Sequence, residues 1–518
     1  MIPQNLVFNE TVNKFKDKLA LEYFDWKVTY GEMEKIVNGL AAQLSPYVEK
    51  GDRVALSLQN VPQFPLLMYA IWKLGGIVVT LNPMYTPREI GYYLKDASPR
   101  VIVTLCETYD NVRRAMDDLG YEAKVFRTNA NTFHEVPKEY SIRWNVKECN
   151  EELYLNGRSY FPDERVSPDD VALLMYTSGT TGDPKGPVIR HKNIYASSWI
   201  YKEWFKVSPE DKALGIAPFF HITGFIFDIT TPVMSGASIY MSYRFDPELA
   251  LRAVQDKKTT ITMFTATAYI AMLEHVDKYN IRSMRLWSAG GMFIPLALEL
   301  EWKRKTGQWI YEAWGLTETT SPATLWPYPY DGELPIDKET NTVSAGVPVY
   351  YTQVKVIDVD DPTKEAEVGE ILVKGPQVID SYWNKPEATA KSIVNGWLFT
   401  GDVAKIINGW VYIIDRKKDL INASGYKIYP REVEEVLYRH PSVKEVAVVS
   451  LLDPYRGETV AAYITLKDGY TPSEDLKKDI EKFCRENLAA YKVPRVIEFV
   501  KEVPKTASGK IMRRAFKK

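Results

Sequence analysis

Short apolar runs alternate with segments of helical periodicity through the first third of the chain. Val54-Ala55-Leu56-Ser57-Leu58 and Val101-Ile102-Val103-Thr104-Leu105 read as buried strands. Between them, Leu67-Met68-Tyr69-Ala70-Ile71-Trp72-Lys73-Leu74 reads as a helix that ends at Gly75-Gly76. Val171-Ala172-Leu173-Leu174-Met175 is a further strand, and the alternation resumes with strands over 260–264 and 284–288. This order predicts an α/β fold of layered, mostly parallel sheets with helices. Beyond about residue 345 the texture changes to short strands and turns, as at 353–357 and 369–373, and predicts a small barrel-like subdomain. The charged stretch Asp415-Arg416-Lys417-Lys418-Asp419 then precedes a compact unit. That unit carries an amphipathic helix near Glu432–Leu437 and strands at 446–449 and 461–464. It predicts a small α+β domain. We place the boundary at Lys418, giving domains 1–417 and 418–518.

A chain of 518 residues needs at least two cores. Its 45% apolar and 25% charged residues are those of a globular protein, and a net charge of −2 gives no reason to expect nucleic acid. The three cysteines, Cys106, Cys149 and Cys484, are widely spaced and show no metal or redox pattern. They predict a disulfide-free, cytoplasmic protein. The first residues lack the layout of a signal peptide. No apolar run is long enough for a membrane span; Gly224–Met234 is broken by Asp228 and Pro232. Oligomeric state is not legible.

The richest chemistry lies in Tyr176-Thr177-Ser178-Gly179-Thr180-Thr181-Gly182-Asp183-Pro184-Lys185-Gly186. Glycines bring backbone N–H groups close to an anion, hydroxyls add donors, and lysine adds a positive charge. A strand running into such a loop suits phosphate. The spacing is not that of a Walker A loop, because the lysine follows a proline. The string resembles the phosphate loop of the adenylate-forming superfamily, which comprises acyl-CoA synthetases, carrier-protein adenylation domains and luciferases. Further motifs occur in that family's order, from Thr29-Tyr30-Gly31-Glu32 to Lys510.

The resemblance implies ATP, Mg²⁺ and CoA as cofactors and a small-molecule carboxylic acid as partner. Thr177, Ser178, Gly179, Thr180, Thr181 and Lys185 would hold phosphate. In Trp314-Gly315-Leu316-Thr317-Glu318, Trp314 would stack on adenine, Thr317 would contact the α-phosphate, and Glu318 would bind Mg²⁺. Most relatives have Tyr where this chain has Trp314, so a phenolic hydrogen bond would be lost. Gly290, Gly291 and Met292 would pass main chain against adenine. Asp402 and Arg416 would hold the ribose. Lys510 would bridge the acid's carboxylate and the α-phosphate, two anions that must meet. Lys418 would be the hinge of a mobile C-terminal domain, which would bring Ser424, Gly425 and Lys427 to CoA. His221, Thr223, Phe227, Ala289 and Gly315 would line the acyl pocket. Gly315 would leave its floor open and Ala289 would thin a wall, so acids larger than acetate should fit. Phe227 would limit its depth.

Candidate acids run from short hydroxy acids to medium-chain or aromatic ones. A stand-alone enzyme loading a carrier protein, a luciferase-like oxygenase and a silent nucleotide binder are the alternatives. Pro187 departs from the family pattern by removing a backbone donor at a strand start, which puts the local pairing in doubt.

Overall fold

The computed structural model describes residues 1–177, 184–423, 426–453, 457–506 and 510–516. Among the described residues two parallel-rich sheets carry the large body. One has six strands in the order Lys124–Thr128, Val101–Leu105, Arg53–Ser57, Ile77–Thr80, Val171–Met175 and Val188–Arg190. Its neighbours run parallel except the last pair. Four of these strands are apolar nearly throughout because both faces are covered, as buried parallel strands require. The predicted strands at 101–105 and 171–175 are reproduced residue for residue.

The second sheet has nine strands. Ser238–Met241, Lys212–Gly215, Ile261–Phe264, Leu286–Gly290 and Ile310–Trp314 form its parallel body. The last two are registered Gly290 to Ala313. Met263, Gly290 and Trp314 therefore lie near the carboxyl ends of adjacent strands, where open α/β sheets place their ligands.

Thr29-Tyr30-Gly31-Glu32 has a structural explanation. Thr29 caps the helix Tyr30–Leu44, accepting from the Glu32 N–H at 3.3 Å, while Glu32 accepts from the Thr29 N–H at 2.8 Å. This is a capping box. The pairing around Pro187 also survives. Its neighbours carry it: Val188 N–H donates to Ser381 O at 3.0 Å, and Trp383 N–H donates to Gly186 O at 2.7 Å.

A five-stranded antiparallel sheet over residues 353–416 forms the barrel-like subdomain. The C-terminal unit has a separate core around Ile421, Val433, Leu437, Val446, Ala462 and Ile480. Its long hairpin pairs Val443–Asp453 with Gly457–Leu466, and the helix Pro430–Tyr438 packs on it.

The disulfide-free expectation is corrected. Cys106 and Cys149 are joined, with Cα atoms 5.8 Å apart across 43 residues. Asn129 brings them together. Its side chain donates to the Cys149 carbonyl at 2.6 Å and accepts from the Cys149 N–H at 2.8 Å, beside the end of strand Val101–Leu105. Sequence spacing carries no trace of that side-chain clamp. The cysteines therefore no longer argue for a reducing compartment. Cys484 is free and buried. No described helix is long and apolar enough to cross a membrane.

Candidate active site

One cleft gathers residues from six parts of the chain. Its lining includes His221, Ile222 and Thr223, Met263, Gly290 and Gly291, Ala313 to Thr317, Tyr201 with Ser321, and Lys510. The C-terminal tail thus reaches the ends of the parallel strands of the large body. Gly291 makes room for it. The residue has φ +81°, and a Cβ there would stand 3.0 Å from Lys510 Cε.

Lys510 is held by its own backbone, whose N–H donates to Thr506 Oγ1 at 3.1 Å and whose carbonyl accepts from Thr506 N–H at 2.7 Å. Burial pushes its ammonium down to about 8, helped by Arg416 and opposed by Asp402 and Glu318. A desolvated cation close to those three groups is poised to take an anion. His221 is pushed down to about 3, by burial first and by Lys510 second. It is therefore a neutral imidazole at pH 7.

Trp314 and Asp402 are joined directly. The indole Nε1–H donates to Asp402 Oδ2 at 2.9 Å. Arg416 Nε lies 3.4 Å from Asp402 Oδ1. Tryptophan therefore does more than replace a tyrosine ring: it orients the buried carboxylate 88 residues away.

The ends of the Thr177–Lys185 loop are pinned. Thr177 N–H donates to Lys185 O at 2.9 Å, and the two residues form an antiparallel bridge. Ser178, Gly179, Thr180 and Thr181 lie outside the described residues, as do Ser424 and Gly425. Lys185 Nζ sits 5.2 Å from the centroid of the Tyr382 ring, and Tyr382 Oη donates to Glu318 Oε1 at 3.0 Å. Tyr382 thus links the phosphate loop to the expected metal ligand. Sequence reasoning missed it, because a lone tyrosine in Ser381-Tyr382-Trp383 carries no spacing signal.

Thr317 and Glu318 open a single tight turn, Thr317–Thr319. The acyl pocket differs from the sequence reading in three places. Gly315 lines the cleft, but a Cβ there would meet Ser321 O at 1.5 Å, so its missing side chain does not leave a floor open. The glycine is needed because two backbones meet. Ala289 points into the core with Leu214, Phe264 and Trp287, because alternate residues of a strand face opposite ways. Phe227 is fully buried behind Tyr201, ring centroids 5.1 Å apart, and does not line the cleft. Tyr201 takes the place expected of it, its hydroxyl 2.8 Å from Ser321 Oγ.

Met292 packs against the core beside the second sheet rather than on the cleft. Lys418 stands in the turn after Arg416, and the Lys417 N–H before it donates to Gly401 O at 2.9 Å. Lys427 pairs with Asp360 at 3.2 Å on an exposed face.

Residues 8–383 match the family model for the AMP-binding enzyme, and residues 432–510 match that for the AMP-binding enzyme C-terminal domain. The chain belongs to the AMP-binding enzyme family. A long-chain-fatty-acid–CoA ligase of Bacillus subtilis (strain 168) is 35% identical, covering 98% of this chain and 93% of that relative. One from Escherichia coli O6:H1 is 31% identical, covering 99% and 94%. The anthranilate CoA ligase AuaEII, solved with anthranoyl-AMP, has a TM-score of 0.88 at 26% identity, covering 99% of this chain and 96% of that one. ATP-bound MatB from Rhodopseudomonas palustris has a TM-score of 0.86 at 26% identity, covering 99% and 98%. The protein is an AMP-forming acyl-CoA synthetase, and ATP and CoA are substrates of its family.

Proposed function

We propose that the enzyme joins a neutral-tailed monocarboxylic acid larger than acetate to CoA in two steps, acyl-adenylate first and thioester second. The observation that carries this reading is the meeting of Lys510 with His221, Gly291 and Thr317 in one cleft. Lys510 would hold the acid's carboxylate against the α-phosphate of ATP. A positive charge there offsets the repulsion of two anions and the charge gathered on phosphorus. The balance is simple: the carboxylate oxygen forms a bond to the α-phosphorus, and pyrophosphate leaves. In the second step the thiol sulfur of CoA takes the acyl carbon, and AMP leaves.

His221, neutral, would shield the carboxylate end without adding charge. Ile222, Met263 and Ala313 offer an apolar wall beyond it, ending at the Tyr201–Ser321 hydroxyl pair. Lys510 is the lysine or arginine on that lining, so a second carboxylate on the acid would find no partner in the deep part of the cleft. The names of the relatives, which include long-chain fatty acids and anthranilate, support a tail larger than a methyl group.

Asp402 and Arg416 would hold the ribose, Trp314 the adenine, and Thr177–Lys185 the phosphates. Mg²⁺ fits a single carboxylate, Glu318, because this ion is commonly held by one or two carboxylates plus substrate phosphates. It would neutralise phosphate charge. We place the hinge at Lys418, with Ser424, Gly425 and Lys427 turned to CoA after adenylation, and the enzyme in the cytoplasm.

A panel of acids assayed for AMP release with and without CoA tests the reading. Turnover with neutral-tailed acids, dependent on CoA, is expected. Turnover confined to acetate or to dicarboxylic acids overturns the substrate class. AMP release that CoA does not accelerate favours the carrier-loading alternative.

Trp314→Phe tests the nucleotide half. It keeps a ring for stacking but removes the donor to Asp402, leaving a buried acceptor short by one bond. That costs about 1–3 kcal/mol, or roughly tenfold in affinity. KM for ATP in acid-dependent pyrophosphate exchange should rise by that factor, with KM for the acid unchanged. An unchanged KM for ATP removes the Trp314–Asp402 pair from nucleotide binding.

A further inference from the structure

The seam between the large body and the C-terminal unit buries a charge. Arg431, in the first turn of the helix Pro430–Tyr438, is 3% exposed. Its guanidinium lies 4.2 Å from the centroid of the Phe293 ring, on the large body. Its backbone N–H donates to Asp415 Oδ2 at 2.8 Å, and Nη1 donates to the Ile413 carbonyl. Both of those residues precede the proposed hinge. Nε and Nη2 have no hydrogen-bond partner among the described residues.

Four carboxylates face this guanidinium electrostatically. Glu312, on the strand Ile310–Trp314 of the large body, is buried, and its Oε2 is unbonded among the described residues. Glu435, one turn along the same helix, reaches across the seam: its Oε2 accepts from the Leu296 N–H at 3.2 Å. Asp415 and Glu434 are shared with Arg513, which donates to Glu434 at 2.7 and 3.1 Å and to Asp415 at 2.9 Å. Burial raises the Glu312 carboxyl well above its ordinary range and Glu435 to about 7, and the charge of Arg431 draws both back down. Each group is thus tolerable where it stands only while the others are present.

Glu312 and Phe293 belong to the large body, and Arg431 and Glu435 to the unit that carries Lys510. A rotation about Lys418 large enough to remove Lys510 from the cleft would separate them. The exposed pairs at the rim, Lys444 with Glu274 and Lys427 with Asp360, are too wet to decide the orientation. A cation over an aromatic face, facing a buried glutamate of the large body, is a feature specific to this orientation.

We infer that Arg431 is a positioning residue for the adenylation step: seated on Phe293 and facing Glu312, it holds the C-terminal unit in the orientation that puts Lys510 in the cleft. The inference rests on the two-step reading above and adds to it the contact that biases one orientation. Arg431 does not line the cleft.

The test measures the two half-reactions separately in Arg431→Met, which keeps length and apolar contact but not charge. Adenylation is read as acid-dependent pyrophosphate exchange, and thioester formation as CoA consumption with supplied acyl-adenylate. Exchange should fall about tenfold, in the range of typical coupling effects, with the second half-reaction unchanged or faster. Arg431→Lys should recover part of the exchange. A residue of merely structural importance would lower both half-reactions together. Equal losses, or no loss, overturn the inference and leave the two-step reading standing. Wild-type enzyme with no acid-dependent exchange overturns that reading, and the role of Arg431 with it. If Arg431→Met lacks a cooperative melting transition, Phe293→Leu carries the same expectations, because it removes the ring from the other side of the seam.

Discussion

Lys510→Ala is expected to lose acid-dependent adenylation by about a hundred- to a thousandfold, the usual cost of removing one preorganised group at developing charge. Thioester formation from supplied acyl-adenylate should stay close to wild type. The asymmetry follows from the charge present in each step. Two anions meet only during adenylation, and Lys510 is the cation within the cleft that faces both Glu318 and Asp402. The acyl-adenylate no longer carries the acid's negative charge. The pH profile gives a second, independent signature. Lys510 is active when charged, and its ammonium is pushed down to about 8. Adenylation kcat/KM, which reports the free enzyme, should therefore be flat below pH 8 and fall tenfold per unit above it. Bound anions favour the charged form, so the corresponding limb in kcat should lie at higher pH. His221, pushed down to about 3, adds no limb near neutrality. Lys510→Ala should lack the limb at 8. Equal losses in both half-reactions, or an unchanged alkaline limb in the variant, would remove Lys510 from the role.

How much of this was legible in the sequence depends on distance along the chain. The strands at 101–105, 171–175 and 353–357 were recovered to the residue, because continuous apolar or alternating runs end at turn residues there. The strand expected at 284–288 begins later, at Leu286, because Met284 closes the turn before it, its N–H donating to Ile281 O at 3.0 Å. The candidate site was legible as motifs but not as contacts. Trp314 and Asp402 were both named, yet their hydrogen bond was not, because nothing local couples positions 88 residues apart. Tyr382 was missed for the same reason. Arg431 reads as an ordinary helix-surface arginine, and only the seam shows that it is buried. Ala289 and Gly315 failed differently. Their residue types were right for a roomy pocket, but side-chain direction is set by strand parity and by the neighbouring turn, which sequence alone does not give.

Gly315 yields the second large effect, and the two readings of it diverge. If the missing side chain opens a pocket floor, Gly315→Trp should favour acetate over longer acids. The structure predicts otherwise. A Cβ on residue 315 would stand 1.5 Å from Ser321 O, 2.7 Å from Ser321 C and 3.1 Å from Thr319 Oγ1. Those atoms belong to a tightly tied turn. Leu316 N–H donates to Thr319 Oγ1 at 2.8 Å, and Thr319 Oγ1 donates to Ser321 O at 2.9 Å. Thr320 and Ser321 already have φ of 47° and 92°, so the turn has little freedom left to give. Even alanine must displace the Ser321 carbonyl by an ångström or more. Thr317 and Glu318 lie within the same turn and would move with it. Misplacement of about 1 Å costs on the order of a hundredfold, so Gly315→Ala should lose adenylation by roughly that factor, and Gly315→Trp by at least as much. The loss should be the same for short and long acids, because the damage falls on the groups that meet phosphate and not on the tail of the acid. The measurement is kcat/KM across an acid series for both variants. A rise in acetate activity relative to longer acids in Gly315→Trp would restore the floor reading and show that residue 315 turns its side chain into the cleft. Gly315→Ala with wild-type adenylation would mean that the turn from Leu316 to Ser321 yields without moving Thr317 and Glu318.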